Sequence, residues 1–364
     1  MSDTGRPAPS GAQPSKVTPR DPAIANLNSL GILLVVLGHS SPTKLITVSS
    51  PAEAIFREIL GLITQFHMPL FFFLSGYLFV HTLPKAGYPA PTYLAFARSK
   101  ARRLLLPYWV LSTLAFPFKA LMATEAARPL EFSVSDYLTS LVVPWQNTII
   151  FFWFLPTLFL IFLTAPWLAL ALRPRSLVIP FALTAVLAVT SVVITPIFWH
   201  DFLNYRGAAS HLITFWLGML WRSRLPTLSI PAHAGLAALG IFSFAAVSLA
   251  NYARILPETP LFQAGVRLAL ALSGVLACVG LIHALTHGGV LTRFPLIDGH
   301  SYQIYLLSWF PQMFVKILVF RWLNAGFWPA AILMFTLGLL IPVWVSSCVA
   351  RRFPRFKPCL GLGK

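Results

Sequence analysis

The chain has 364 residues, of which 57% are apolar and only 10% charged, and its mean hydropathy is +0.75. A water-soluble globule of this length does not carry so large an apolar fraction, so we predict a polytopic membrane protein, built as an all-α bundle with both termini in the cytoplasm. The net charge of +17 lies largely in loops on one side of the predicted spans, which indicates membrane topology and argues against nucleic-acid binding.

Apolar runs of roughly 20 residues are long enough to cross a bilayer as helices. Residues 1–22, rich in Pro, Ser and Gly, are predicted to be a disordered cytoplasmic tail, residues 23–350 a membrane domain and residues 351–364 a basic cytoplasmic tail. Within the membrane domain we predict ten spans, at about 24–41, 59–81, 104–123, 149–172, 177–198, 207–221, 229–250, 264–286, 300–320 and 328–349.

Two histidines stand inside or at the end of the first two apolar runs. His39 ends the first run and His67 lies in the second, and an ionisable group in such a segment costs about 2–3 kcal/mol. One interpretation is that each imidazole simply hydrogen-bonds a neighbouring helix. Because Gln65, Ser75 and Tyr77 crowd the same stretch as His67, we predict instead a shared polar cavity in the outer half of the membrane.

An imidazole near neutral pH can take a proton from a hydroxyl or carry an acyl group itself. We therefore predict His39 as general base or nucleophile, and His67 as the group that orients a reacting atom or stabilises an oxyanion. Gln65 is predicted to contact substrate.

Lys100, Arg102 and Arg103 form a basic cluster at the start of the third span. Simple retention of positive charge on the cytoplasmic side would explain such a cluster. Lys100 and Arg103 also share one helical face, where they could hold the phosphates of a cytoplasmic donor.

Aromatic and hydroxyl side chains in later spans are further candidates for substrate contact. Trp153 could stack on a sugar or an adenine, although an aromatic ring near a span end is also typical of an interfacial anchor. Ser301 and Tyr305 are four residues apart on one helical face and are predicted to line a substrate tunnel.

Six sequence blocks carry a family resemblance. They are Arg20–Pro22 with the run to His39, Phe66–Phe79, Arg102–Tyr108, Trp153–Leu160, Phe215–Met219 and Gly299–Leu307. Their order and spacing over residues 21–310 resemble the acyltransferase 3 family of integral membrane acetyltransferases, especially the branch similar to bacterial fucose 4-O-acetylases.

The resemblance implies a ten-helix, multi-pass enzyme of the inner (cell) membrane. It implies acetyl-CoA from the cytoplasm as acyl donor and a carbohydrate hydroxyl as acceptor. The residues themselves show no metal-binding motif, so we predict no metal. The functional histidine of the family's first span falls on His39, the second-span histidine on His67, and the CoA-binding basic motif on Lys100 to Arg103.

Three positions depart from the family's usual pattern. Asn28 stands where the family carries Arg or Lys, Ala25 where an acid is common and Ser308 where a histidine closes the ninth-span motif. Losing both members of an acid–base pair at once leaves no stranded charge. The departures leave open a catalytically inactive member that assists envelope polysaccharide assembly. Intramembrane histidines also leave open a transporter or exporter.

Overall fold

The computed structural model describes residues 21–43, 50–83, 89–121, 133–174, 176–194, 201–225, 228–294 and 296–361. Within these ranges the protein is helical and has no β-strand. The predicted disordered tail lies almost wholly outside the described residues. The predicted C-terminal tail continues the last helix and then forms 3₁₀ turns over Pro354–Leu360, which pack against the fourth and last helices.

The α-helices are labelled in chain order. They are α1 Pro22–Gly38, α2 Pro51–Thr64, α3 His67–Val80, α4 Ala90–Leu121, α5 Val134–Val142, α6 Phe154–Leu170, α7 Val178–Ile194, α8 Tyr205–Arg224, α9 Ile230–Tyr252, α10 Pro260–His287, α11 Ser301–Leu307, α12 Trp309–Val315 and α13 Phe327–Arg352. Short 3₁₀ turns precede α6 and α8, and π-helical turns follow α12 over Lys316–Trp322.

Each of the ten predicted spans coincides with helical residues. Among the described residues, five helical segments are both long and apolar enough to cross a membrane, with α2 and α3 counted together as one. A sixth is added if α11 and α12, bent by 45° at Ser308, form one span, whereas α1 and α7 are apolar but shorter. The protein is therefore a multi-pass membrane protein, while ten spans and a cytoplasmic N-terminus remain predictions.

Helices α1 and α3 lie at the centre of the bundle. Helix α1 contacts α3, α10, α11 and α13, and α3 packs along α8. An aromatic core surrounds them, and its largest buried side chains include Phe72, Tyr108 and Trp216. The two histidines predicted to be functional are thus carried by the most enclosed helices.

Helices α3 and α8 cross at two glycines. A Cβ atom on Gly76 would overlap the Phe215 carbonyl, and one on Gly218 would overlap the Phe73 carbonyl. Small residues at such a crossing allow the two backbones to touch, as is common in membrane bundles.

We expect Gly218→Ala to lower the thermal unfolding midpoint of the detergent-solubilised protein, because overpacking of a filled contact costs roughly 1–3 kcal/mol. Gly235→Ala is the matched control, since nothing lies within 4 Å of a Cβ on that α9 glycine. Equal midpoints for the two variants would contradict the close α3–α8 crossing.

Candidate active site

His67 lies at the junction of two helices. The predicted span 59–81 is divided, because α2 begins earlier, at Pro51, and ends at Thr64, while α3 begins at His67. Nδ1 of His67 donates to the carbonyl of Ile63 (3.0 Å), and the side chain is buried. In its neutral form this ring therefore presents Nε2 as a hydrogen-bond acceptor.

His39 follows the last residue of α1 and is backed by an aromatic ring. Its imidazole stacks on Phe151, with 4.3 Å between ring centroids and 29° between planes. The Tyr305 hydroxyl donates to the Phe151 carbonyl, so α11 fixes the segment against which His39 rests. Among the described residues, no hydrogen bond occupies the His39 ring, and both of its nitrogens are left for substrate.

Gln312 of α12 holds the end of α1 that carries His39. Its Nε2 donates to the Val36 carbonyl (3.0 Å) and to Ser40 Oγ (3.2 Å), and its side chain is 2% exposed. Ser40 Oγ in turn donates to the same Val36 carbonyl (2.6 Å). The sequence analysis did not identify Gln312, because its partners lie some 270 residues away in sequence.

We expect Gln312→Met to lower the unfolding midpoint. The Val36 carbonyl and the Ser40 hydroxyl lose a hydrogen-bond donor inside the protein, and such a loss destabilises the folded state by roughly 1–3 kcal/mol. Turnover should fall as well, since the support for His39 is loosened. Gln263→Met is the control, as that side chain bonds only the Pro257 carbonyl in an exposed position. If both variants melt and turn over like wild type, Gln312 does not position α1.

A cavity of ≈430 Å³, here called the histidine cavity, opens beside these residues. It brings together residues that the sequence analysis had predicted for the site: His39, Gln65, His67, Trp153 and Tyr305. It lies where α1 ends and α3, α8 and α10 begin, at the end of the bundle opposite the N-terminus of α1. Its size suits a small polar ligand such as one sugar ring.

The structure adds residues that the sequence analysis did not select. His211 of α8 stacks between Phe72 (4.5 Å) and Trp153 (5.5 Å), and Trp153 stacks on Trp145 (5.2 Å). Trp153 is therefore a wall of the cavity and not only a ring at a span end. Arg267 of α10 is the only formally charged residue among the described residues that line the cavity.

A second cavity of ≈250 Å³, here called the lysine cavity, lies toward the end of the bundle where α1 begins and α3 ends. Lys100, Arg103 and Ser301 line it, as does Asn28. Nζ of Lys100 lies 3.8 Å from the centre of the Phe162 ring. Burial, and secondarily the neighbouring Arg103, lowers the pKa of Lys100 to about 8.

Arg102 differs from its two basic neighbours. Arg102 and Arg103 are both exposed, but Arg102 is not among the described residues that line the lysine cavity. The predicted donor cluster of Lys100, Arg102 and Arg103 is thus divided by the helix, with Lys100 and Arg103 on the side of the cavity, as their spacing indicated.

Met68 and Tyr305 line both cavities. The two spaces are therefore separated by little more than these side chains. A cavity lined by basic residues therefore adjoins one lined by histidines.

A family model for the acyltransferase domain of the acyltransferase 3 family matches residues 23–347. The chain belongs to the acyltransferase 3 family. No curated protein and no solved structure matches the chain. Family membership and the apolar helices together make this a membrane acyltransferase, and the two cavities give it a candidate active site.

One of the three positions that depart from the expected acyltransferase 3 pattern lines a cavity. Asn28 lines the lysine cavity, and its Nδ2 donates to the Ile24 carbonyl of its own helix (3.0 Å). Ser308 is buried at the α11–α12 bend, and its Oγ has no partner among the described residues. Ala25 is buried too, so the three positions present an amide, a hydroxyl and a methyl group.

Proposed function

We propose that this protein transfers an acetyl group from cytoplasmic acetyl-CoA to a hydroxyl of a carbohydrate, either a cell-surface or a lipid-linked glycan, in the manner of the fucose 4-O-acetylase-like branch. The single observation that carries the proposal is the pair of adjoining cavities, one basic and one lined by histidines, that share Met68 and Tyr305.

The donor enters the lysine cavity. Lys100 and Arg103 offer cationic donors for the CoA phosphates, and charge-assisted hydrogen bonds of this kind are the strong ones. Phosphates beside Lys100 also favour its charged form. The remaining lining is largely apolar and suits the thin pantetheine arm, which extends past Tyr305 so that the thioester reaches the histidine cavity.

The acceptor hydroxyl occupies the histidine cavity. His39 takes the hydroxyl proton as the oxygen attacks the thioester carbon, and the C–S bond breaks as the new C–O ester bond forms. The same proton then passes from His39 to the departing sulfur, so atoms and charges balance. Holding both substrates in one enclosed path supplies much of the rate enhancement through proximity.

His67 has a narrower role than the one predicted from sequence. A neutral ring that donates at Nδ1 to Ile63 can only accept at Nε2, so it suits orientation of the acceptor hydroxyl and does not suit donation to an oxyanion. Trp153 offers an aromatic face for a sugar, and Arg267 supplies a cation for an acidic substituent on the glycan.

The test is acetyl-CoA turnover by the purified protein in lipid nanodiscs, measured as free CoA with and without a panel of glycans. We expect slow release of CoA alone and faster release with the correct acceptor, accompanied by an added acetyl mass on that glycan. No CoA release under any condition, with proton-coupled solute flux in proteoliposomes, would identify a transporter instead. Absence of both activities would indicate an inactive assembly partner.

A further inference from the structure

Three potential metal ligands converge at the end of the bundle remote from His39. They are Asp21, which caps the N-terminus of α1, and His283 and His287 in the last turns of α10. One ligand atom from each lies within 4.8 Å of the others. None of the three lines the histidine or the lysine cavity, so the proposed acyl transfer does not use them.

The two histidines are arranged to present nitrogen lone pairs. They are four residues apart and so share one face of α10, a spacing that zinc-binding helices use. Nδ1 of His283 donates to the Val279 carbonyl (2.8 Å), which leaves Nε2 of the neutral ring free. A backbone partner of this kind is the usual second contact of a metal-binding imidazole, because it fixes both the tautomer and the ring direction.

The carboxylate faces the second imidazole. Nε2 of His287 lies 4.0 Å from Oδ1 of Asp21, too far for a direct hydrogen bond. In a tetrahedral zinc site the ligand atoms lie about 2.0–2.1 Å from the metal and therefore roughly 3.3 Å from one another. Small side-chain rotations bring the three groups to that spacing.

His233 of α9 supports this cluster without being a ligand. Its ring is parallel to that of His283, with 4.8 Å between centroids and 3° between planes. A metal lies in the plane of the imidazole that binds it, so two parallel stacked rings do not point at one ion. Nδ1 of His233 donates to the Ser229 carbonyl (3.1 Å), which fixes the ring against His283 as a positioning residue.

We propose that Asp21, His283 and His287 bind one zinc ion that joins the N-terminus of α1 to the C-terminus of α10. Two nitrogens and one carboxylate oxygen suit zinc better than the oxygen-only preferences of Mg²⁺ and Ca²⁺, and a water completes four-coordination. Two neutral imidazoles and one carboxylate give the cluster a charge of −1, which attracts a divalent cation and leaves the occupied site at +1. The 17-residue helix α1 separates this site from His39 by about 25 Å, so the ion lies outside the proposed acyl-transfer site.

The sequence alone does not show this cluster, because Asp21 lies more than 260 residues from its partners. His283 and His287 alone did supply a signal, the i, i+4 histidine pair on a helix, which was not used. A neighbouring contact supports the same junction, since Nδ2 of Asn26 donates to Thr286 Oγ1 (3.0 Å).

The experiment uses the full-length protein in detergent, purified through a tag without histidines, stripped with chelator and reloaded with zinc sulfate. Bound zinc is measured by mass spectrometry of the metal after gel filtration, and the unfolding midpoint is measured with and without zinc. We expect one zinc per chain and a higher midpoint on reloading. Cobalt in place of zinc should give the visible absorption typical of four-coordination.

The variants distinguish a specific zinc site from non-specific zinc binding. His287→Ala and Asp21→Asn should lose the bound zinc, whereas His287→Cys, which keeps a ligand atom, should retain it. His300→Ala is the matched control, because that histidine contacts Ser346 outside the cluster. Wild-type protein that holds no zinc and gains no stability from it, or zinc that persists in a folded His283→Ala/His287→Ala double variant, would overturn the proposal. Neither measurement, bound zinc or the unfolding midpoint, depends on acyl-transfer activity.

Discussion

His39→Ala should lower kcat for acetyl transfer by about 10²–10⁴-fold, the usual contribution of a positioned general base. The described residues that line the histidine cavity include no carboxylate, so no acid side chain there can take over the proton. His67 keeps its Nδ1 on the Ile63 carbonyl and, in this proposal, orients the acceptor hydroxyl without taking its proton. The measurement is the initial rate of CoA release and of acetyl-glycan formation by the purified variant.

His81→Ala is the control for this prediction. His81 follows the far end of α3, is exposed, and accepts a hydrogen bond from Nε of Arg222 (3.0 Å). We expect the initial rate of CoA release by the His81→Ala protein to stay within twofold of wild type. Gel filtration and the unfolding midpoint should show that the His39→Ala protein is folded. A folded His39→Ala protein that retains a third or more of wild-type kcat would remove His39 from the chemistry.

Lys100→Ala should raise KM for acetyl-CoA by roughly 10–100-fold, the equivalent of one charge-assisted hydrogen bond of about 1.5–3 kcal/mol. Because the lost contact is to the phosphates and not to the reacting thioester, kcat should change much less. Arg103→Ala should act in the same direction, with a smaller effect because its side chain is more exposed. Initial rates over a range of acetyl-CoA concentrations separate the two constants.

Arg102→Ala provides the matched comparison, since it removes the same charge two residues away from Lys100. Arg102 lies outside the lysine cavity, so we expect its KM to stay within twofold of wild type. If Lys100→Ala has the same KM for acetyl-CoA as Arg102→Ala, Lys100 has no special part in binding the donor. That result would favour the other interpretation of this cluster, retention of positive charge on the cytoplasmic side. The pair thus decides between ligand binding and membrane orientation.

Simple rules located much of the candidate site from sequence. The cost of an ionisable group in an apolar run selected His39 and His67, and helical spacing paired Lys100 with Arg103. The same first rule applies to His211, which lies in the predicted sixth span and was passed over. Phe151 and Gln312 could not be found in this way, because their contacts to the end of α1 exist only after distant helices pack.

The helical segments were predicted better than their ends. The start of α2 was missed, although Ser50 and Glu53 form the S-x-x-E pattern of a helix N-terminus and Ser50 Oγ accepts from the Glu53 amide (3.3 Å). The division of the second span at Phe66 and the bend at Ser308 each lie three residues before a proline, Pro69 and Pro311, where a break in the helix is expected. The break at Phe66 adjoins the histidine cavity, where freed backbone groups need not face lipid.

The most direct test of the central claim is the O-acetyl content of the host's surface glycans, measured by mass spectrometry in three strains. These carry a deletion of the gene, the deletion complemented with wild type, and the deletion complemented with an equally expressed His39→Ala form. We predict that wild type restores an acetyl ester that the deletion removes, and that His39→Ala does not. An unchanged acetyl content on deletion, or full restoration by His39→Ala, would contradict the account.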